Sequence, residues 1–158
     1  INTSAYIFFR REFYIMSKTA IIYWSGTGNT EAMANAVYDG AKSVNPEAVC
    51  FSVADISAEE AAQYDTLILG CPAMGAEVLE EDEFEPFFAE LEAKLSGKNV
   101  ALFGSYGWGD GEWMRSWEER VKGDGANLVG GEGLIVNEAP DEAALAQCGE
   151  LGKNAAAL

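Results

Sequence analysis

Five short and almost wholly apolar runs, most of them separated by longer stretches with helical spacing, constrain this chain more than any other feature. The runs are Thr19 to Trp24, Val49 to Val53, Thr66 to Gly70, Asn99 to Gly104 and Leu128 to Val136, the last broken by Gly130, Gly131 and Gly133. A strand without a polar face has to be covered on both sides, which calls for parallel strands joined by right-handed helical crossovers. The intervening segments can supply that cover. Asn29 to Ser43, Glu83 to Leu95, Gly111 to Lys122 and Asp141 to Ala157 carry apolar residues at helical spacing, for example Met33, Val37 and Ala41, while Ser57 to Gln63 is a shorter acidic stretch. The expectation is a doubly wound, three-layer α/β sandwich around a five-stranded parallel sheet. A length of 158 residues suits one such domain.

Residues 1–15, INTSAYIFFRREFYI, stand outside this alternation and end just before Met16. They read as an N-terminal extension rather than part of the fold, because Arg10 and Arg11 follow the aromatic cluster where a secretory signal would put its charge first. The expected functional unit is a single domain over residues 16–158.

Charge and missing residue types narrow the chemistry. Twenty-six acidic residues against ten basic ones give a formal net charge of -16, which repels nucleic acid and anionic membranes and favours partners with basic surfaces. There is no histidine, so Ser-His-Asp and Cys-His catalysis and histidine-containing metal sites are excluded. Cys50, Cys71 and Cys148 are odd in number and lack a CxxC spacing, which argues against a disulfide framework and for a reducing, cytoplasmic setting. So large a charge on a small domain also favours a monomer.

In a doubly wound sheet, ligands sit beyond the carboxyl ends of the strands, where the strand order reverses. The loop after the first run is Ser25-Gly26-Thr27-Gly28-Asn29-Thr30. Its two glycines let backbone N–H groups converge, four side chains offer hydrogen bonds, and a helix N-terminus follows, which together make a phosphate nest. No lysine follows, as a Walker loop would need, and Glu31 stands where a dinucleotide turn would place its third glycine. A plain capping turn is the competing reading, but it needs fewer polar groups.

These residues, preceded by Tyr23-Trp24, resemble the signature of the flavodoxins, in particular the short-chain clostridial type. Two further loops agree: Cys71-Pro72-Ala73-Met74-Gly75-Ala76-Glu77 after the third run, and Gly104-Ser105-Tyr106-Gly107-Trp108-Gly109-Asp110-Gly111 after the fourth. The resemblance runs from about Lys18 to the C-terminus. It implies a flavodoxin-like fold with FMN as cofactor, the phosphate on Ser25 to Thr30 and the ring between Pro72–Glu77 and Ser105–Gly109. It further implies that Met74 covers the inner ring face and Trp108 the outer, that Glu77 accepts from the ring N3–H, and that the Gly75 carbonyl turns toward N5 on one-electron reduction. Where some relatives carry a hydroxyl residue, this chain has Pro72. The residues themselves leave duller roles open: Trp108 as core, Met74 as packing, Glu77 as a solvated glutamate.

The run Glu80-Glu81-Asp82-Glu83 reads as a solvated acidic loop and helix start, with a docking patch for a basic partner as the second reading. Cys71 reads as a buried, inert thiol, since no arginine lies in Pro72 to Glu81 to hold a phosphate. A carboxylate about 10 Å from the ring would oppose a second negative charge by ~1.7 kcal/mol at an effective dielectric of ~20. The function implied is a low-potential one-electron carrier, shuttling between semiquinone and hydroquinone and serving larger redox enzymes. A flavodoxin-like FMN oxidoreductase is the alternative, and a non-redox domain on the same fold is a third possibility.

Overall fold

The apolar runs are strands, and every pairing between them is parallel. The computed structural model describes residues 17–158, so the expected N-terminal extension lies outside the described residues. The strands are β1 (Thr19–Tyr23), β2 (Val49–Ser52), β3 (Thr66–Gly70) and β4 (Asn99–Tyr106), followed by β5 (Asn127–Leu128) and β6 (Leu134–Asn137). The sheet order is β2-β1-β3-β4, with β5 and β6 both paired to the far edge of β4.

The fifth expected strand is therefore split in two. Gly130 and Gly131 take φ of 76° and 81° in the single turn Val129–Gly131, and a left-handed backbone cannot continue a strand ladder.

Among the described residues five α-helices cover the sheet: α1 (Asn29–Val44), α2 (Ala58–Ala61), α3 (Phe84–Glu92), α4 (Glu112–Gly123) and α5 (Glu142–Ala156). Each central strand divides its residues between the two faces, as a period of two requires. Ala20, Ile22, Leu67, Leu69, Val100 and Leu102 join the core under α2, α3 and α4. Ile21, Ile68, Ala101 and Phe103 join the core under α1 and α5. Trp113 and Trp117 of α4 are 1% exposed, and Trp117 meets Phe84 and Phe88 edge-on. Arg120 lies over the Phe88 ring and pairs with Glu85 at 2.9 Å and Glu92 at 2.8 Å.

The same topology sets the position of the site. β1 leads through α1 to β2 on one side, whereas the chain enters β3 on the other, so the loops leaving β1 and β3 diverge and open a crevice at their carboxyl ends.

Candidate cofactor site

Three loops meet at that crevice, and hydrogen bonds link them to one another. Thr30, at the start of α1, is 1% exposed, and its hydroxyl lies 3.0 Å from that of Ser105 at the end of β4. The Ala73 N–H donates to the Ser105 carbonyl at 3.0 Å, joining the second loop to the third. Glu77 joins them again: its Oε1 accepts the backbone N–H of Asp110, Gly111 and Glu112 at 3.2, 3.3 and 3.3 Å. The indole of Trp24 donates to Glu83 at 3.3 Å and packs across Gly26, where a Cβ would come within 2.9 Å of the ring.

The first loop has the donor set of an anion nest. Gly28 caps α1 with φ of 96° and provides no side chain of its own. Ser25 Oγ accepts the N–H of Gly28 and of Glu31, each at 3.2 Å, which leaves its own proton free. The backbone N–H groups of Gly26, Thr27, Asn29 and Thr30 donate to no acceptor among the described residues. These orphan donors at a helix N-terminus suit a phosphate. No lysine or arginine occurs in residues 24–32, 71–83 or 104–114, so the charge would be met by dipoles alone. This chain's residues therefore fit a phosphorylated ligand with an aromatic ring.

The second loop is a tight turn closed by Met74 and Val78, which exchange backbone hydrogen bonds of 2.8 and 2.9 Å. Inside it, Gly75 takes φ of 52° and Glu77 φ of 55°. The Gly75 carbonyl and the Ala76 N–H bond to nothing among the described residues. The third loop displays Trp108 at 60% exposure, and the second displays Met74 at 38%. Pro72 and Tyr106 are half-buried, and the Tyr106 ring rests on Trp113 at 5.6 Å, so these two support the loops more than they line the crevice. Gly107 and Gly109 flank the indole, and Gly109 takes φ of 83°.

The sequence reading missed two features. Asn137, the last residue of β6, and Glu138 after it both donate to the Tyr106 carbonyl, through the side-chain amide at 3.2 Å and the backbone N–H at 2.8 Å, and Glu138 brings a further carboxylate beside Gly107. The signal for them was the polar pair ending the last apolar run. Glu80, expected in a solvated acidic loop, is 5% exposed. Its carboxylate caps α3, accepting the N–H of Asp82, Glu83 and Phe84 at 2.7, 2.9 and 2.8 Å. Burial acts to raise its pKa, but the bonds from Phe84, Glu83 and Asp82 outweigh it and hold the carboxyl below its ordinary value. Cys71 is buried as expected, and burial pushes its thiol far up, so it remains protonated and unreactive.

A cavity of about 760 Å³ lies elsewhere, near the amino ends of β1 and β3 between Phe51, Ile56 and Tyr64. A smaller one of about 270 Å³ lies between α3 and α4 beside Val78. We place the site at the open crevice because the unpaired donors and the exposed Met74 and Trp108 are on the loops that meet there.

A parallel sheet in this order, with loops gathered at the β1/β3 switch, defines a flavodoxin-like doubly wound fold whose ligand crevice lies at that switch. The comparisons agree. The flavodoxin family model matches residues 21–152. The flavodoxin of Clostridium beijerinckii is 54% identical over 136 residues, covering 86% of this chain and 97% of that protein. That of Megasphaera elsdenii is 50% identical, covering 86% and 96%. The solution structure of two-electron reduced Megasphaera elsdenii flavodoxin superposes with a TM-score of 0.80 at 48% identity, covering 89% of this chain and 99% of that one. The chain belongs to the flavodoxin family. It is an FMN-binding electron carrier and not an enzyme.

Proposed function

We propose that this chain carries single electrons at low potential between larger redox proteins, with its FMN held by the residues of the three loops. FMN supplies the redox chemistry. Ser25, Gly26, Thr27, Gly28, Asn29 and Thr30 hold the phosphate through their N–H groups and side chains. Met74 and Trp108 cover the two faces of the ring, and Pro72, Ala73, Ser105, Tyr106, Gly107 and Gly109 set their positions. Glu77 accepts a ring N–H, and the Gly75 carbonyl is the acceptor that turns to hold a proton gained on reduction.

The observation that carries the reading is the nest itself: four backbone donors without acceptors among the described residues, with an exposed indole and thioether in the other two loops, and no lysine or arginine in residues 24–32, 71–83 or 104–114. The potential is low because added negative charge meets carboxylates, while Arg115, the cation bonded to the third loop, is already paired with Asp110 and Glu112. An absorption spectrum and a redox titration of the purified, FMN-loaded protein test this. A colourless protein, or two midpoints too close to resolve, would contradict it, and steady NAD(P)H oxidation without an added reductase would replace the carrier with an oxidoreductase.

Partners with basic docking faces fit a formal charge of -16. Their association should slow as ionic strength rises, because screening shortens the reach of the attraction. Among the described residues no helix is long and apolar enough to cross a membrane. We place the protein in the cytoplasm as a monomer, with residues 16–158 as the working domain. Removing residues 1–15 should leave FMN affinity unchanged.

A further inference from the structure

We infer that Glu77 is a positioning residue, tying the Met74 turn to the Trp108 loop before any cofactor arrives; only the identity of what the loops clamp rests on the function proposed above. The three N–H groups accepted by its Oε1 belong to the turn that enters α4: Asp110 before the helix, Gly111 at its N-cap and Glu112, its first residue. That helix starts from Gly111, which has φ of 95° and no side chain with which to cap it. Its cap comes instead from a turn lying 35 residues earlier in the chain. Glu77 reaches it in a left-handed conformation, φ of 55°, that side-chain-bearing residues seldom adopt. The bridge between Met74 and Val78 holds the turn in that shape. Gly109 leaves the room, because a Cβ there would fall inside the Glu77 carboxylate.

The same helix also fastens the other end of the excursion. The Trp113 indole donates to the Cys71 carbonyl at 3.1 Å, so base and tip of the segment from Cys71 to Glu77 are both bound to α4. Between these points the Gly75–Ala76 peptide is unbonded among the described residues. One carboxylate thereby sets how far Met74 stands from Trp108, and freedom in the turn is concentrated in the peptide whose carbonyl must move. Oε2 accepts no bond among the described residues, so Glu77 can cap α4 and still receive a ring N–H.

The test uses the FMN-free full chain and compares wild type with Glu77→Ala and Glu77→Gln by NMR-detected amide exchange. In Glu77→Ala, exchange at Asp110, Gly111 and Glu112 should accelerate about tenfold, as expected for the loss of a helix cap, while β1 and β3 stay protected. The Met74 methyl and Trp108 indole resonances should shift together. Glu77→Gln keeps an acceptor oxygen and should restore most of the protection. Unchanged exchange at those amides in Glu77→Ala, or a shift of Met74 with Trp108 unmoved, would overturn the inference. Because the readout needs no cofactor, failure to bind FMN would sink the function reading and leave this result standing.

Discussion

Ser25→Ala separates the phosphate nest from the ring clamp. The Ser25 hydroxyl has two duties in the structure: its oxygen receives the N–H of Gly28 and Glu31 at 3.2 Å each, and its proton is left for an incoming anion. Losing the first duty costs about 1 kcal/mol, the value of an ordinary helix cap, because the freed donors lie at a surface that water reaches. Losing the second removes a hydrogen bond to a charged group, ~1.5 to 3 kcal/mol, or roughly a 10- to 150-fold loss of affinity. Riboflavin offers the same ring without the phosphate, so its affinity should be nearly unchanged. Titration of the FMN-free protein with each flavin, followed by quenching of flavin fluorescence, gives both constants under identical conditions. An equal loss for riboflavin and FMN would show that Ser25 shapes the whole crevice, and the argument for a phosphate nest would fail. An unchanged FMN constant would mean that the released Gly28 and Glu31 donors replace the lost hydroxyl.

Further perturbations address the other loops. Gly75→Thr places a β-branched residue at φ of 52°, where the nearest atom to a Cβ is Val78 Cγ2 at 3.9 Å, so the effect comes from backbone strain and not from a clash. It should bring the two one-electron midpoint potentials closer together while FMN remains bound, as read in a dithionite titration. Trp108→Ala removes a 60% exposed indole whose stacking is worth ~0.5 to 1.5 kcal/mol beyond burial. FMN affinity should fall at least several-fold, and an unchanged constant would remove Trp108 from the ring site. Glu80 has its pKa held down in the folded state, so its contribution to stability is present above the ordinary carboxylate value near ~4.3 and is lost as pH falls through the folded value. Glu80→Gln should therefore destabilise the FMN-free protein by about 1 to 3 kcal/mol at neutral pH and by much less in acid, measured by urea unfolding at both.

Most of the scaffold was legible because it depends on local periodicity. Strands such as Thr66–Gly70 are apolar apart from the opening Thr66, with no alternating polar face to turn outward, and that alone implies a sheet covered on both faces. The split of the final strand was not legible, since glycine permits a left-handed turn without requiring one; Gly133 lies in the same run with no left-handed φ, whereas Gly130 and Gly131 have one. Pairings over long separations were hidden for a related reason. Nothing in the string places Glu77 beside Asp110, or reveals that Glu80 folds back to cap α3 while Glu81, its neighbour, faces solvent. A run of acidic residues looks uniform in sequence, and it is the chain's return path that selects which carboxylate is buried.

The site itself illustrates why topology located it better than concavity would have. The cavity of about 760 Å³ lies near the amino ends of β1 and β3, and its rim carries Glu47, Glu60 and Asp65 against Lys18, with no cluster of unpaired backbone donors among the described residues. At the carboxyl ends, in contrast, the strand order reverses, α1 presents its N-terminus, and the backbone N–H groups of Gly26, Thr27, Asn29 and Thr30 lack acceptors among the described residues. Unsatisfied polar groups held in fixed geometry demand a partner in a way that empty apolar volume does not, because leaving them unpaired has a direct free-energy cost. For a cofactor held through a charged phosphate and a flat ring, the position of those donors is therefore the stronger guide, and their position follows from the strand order.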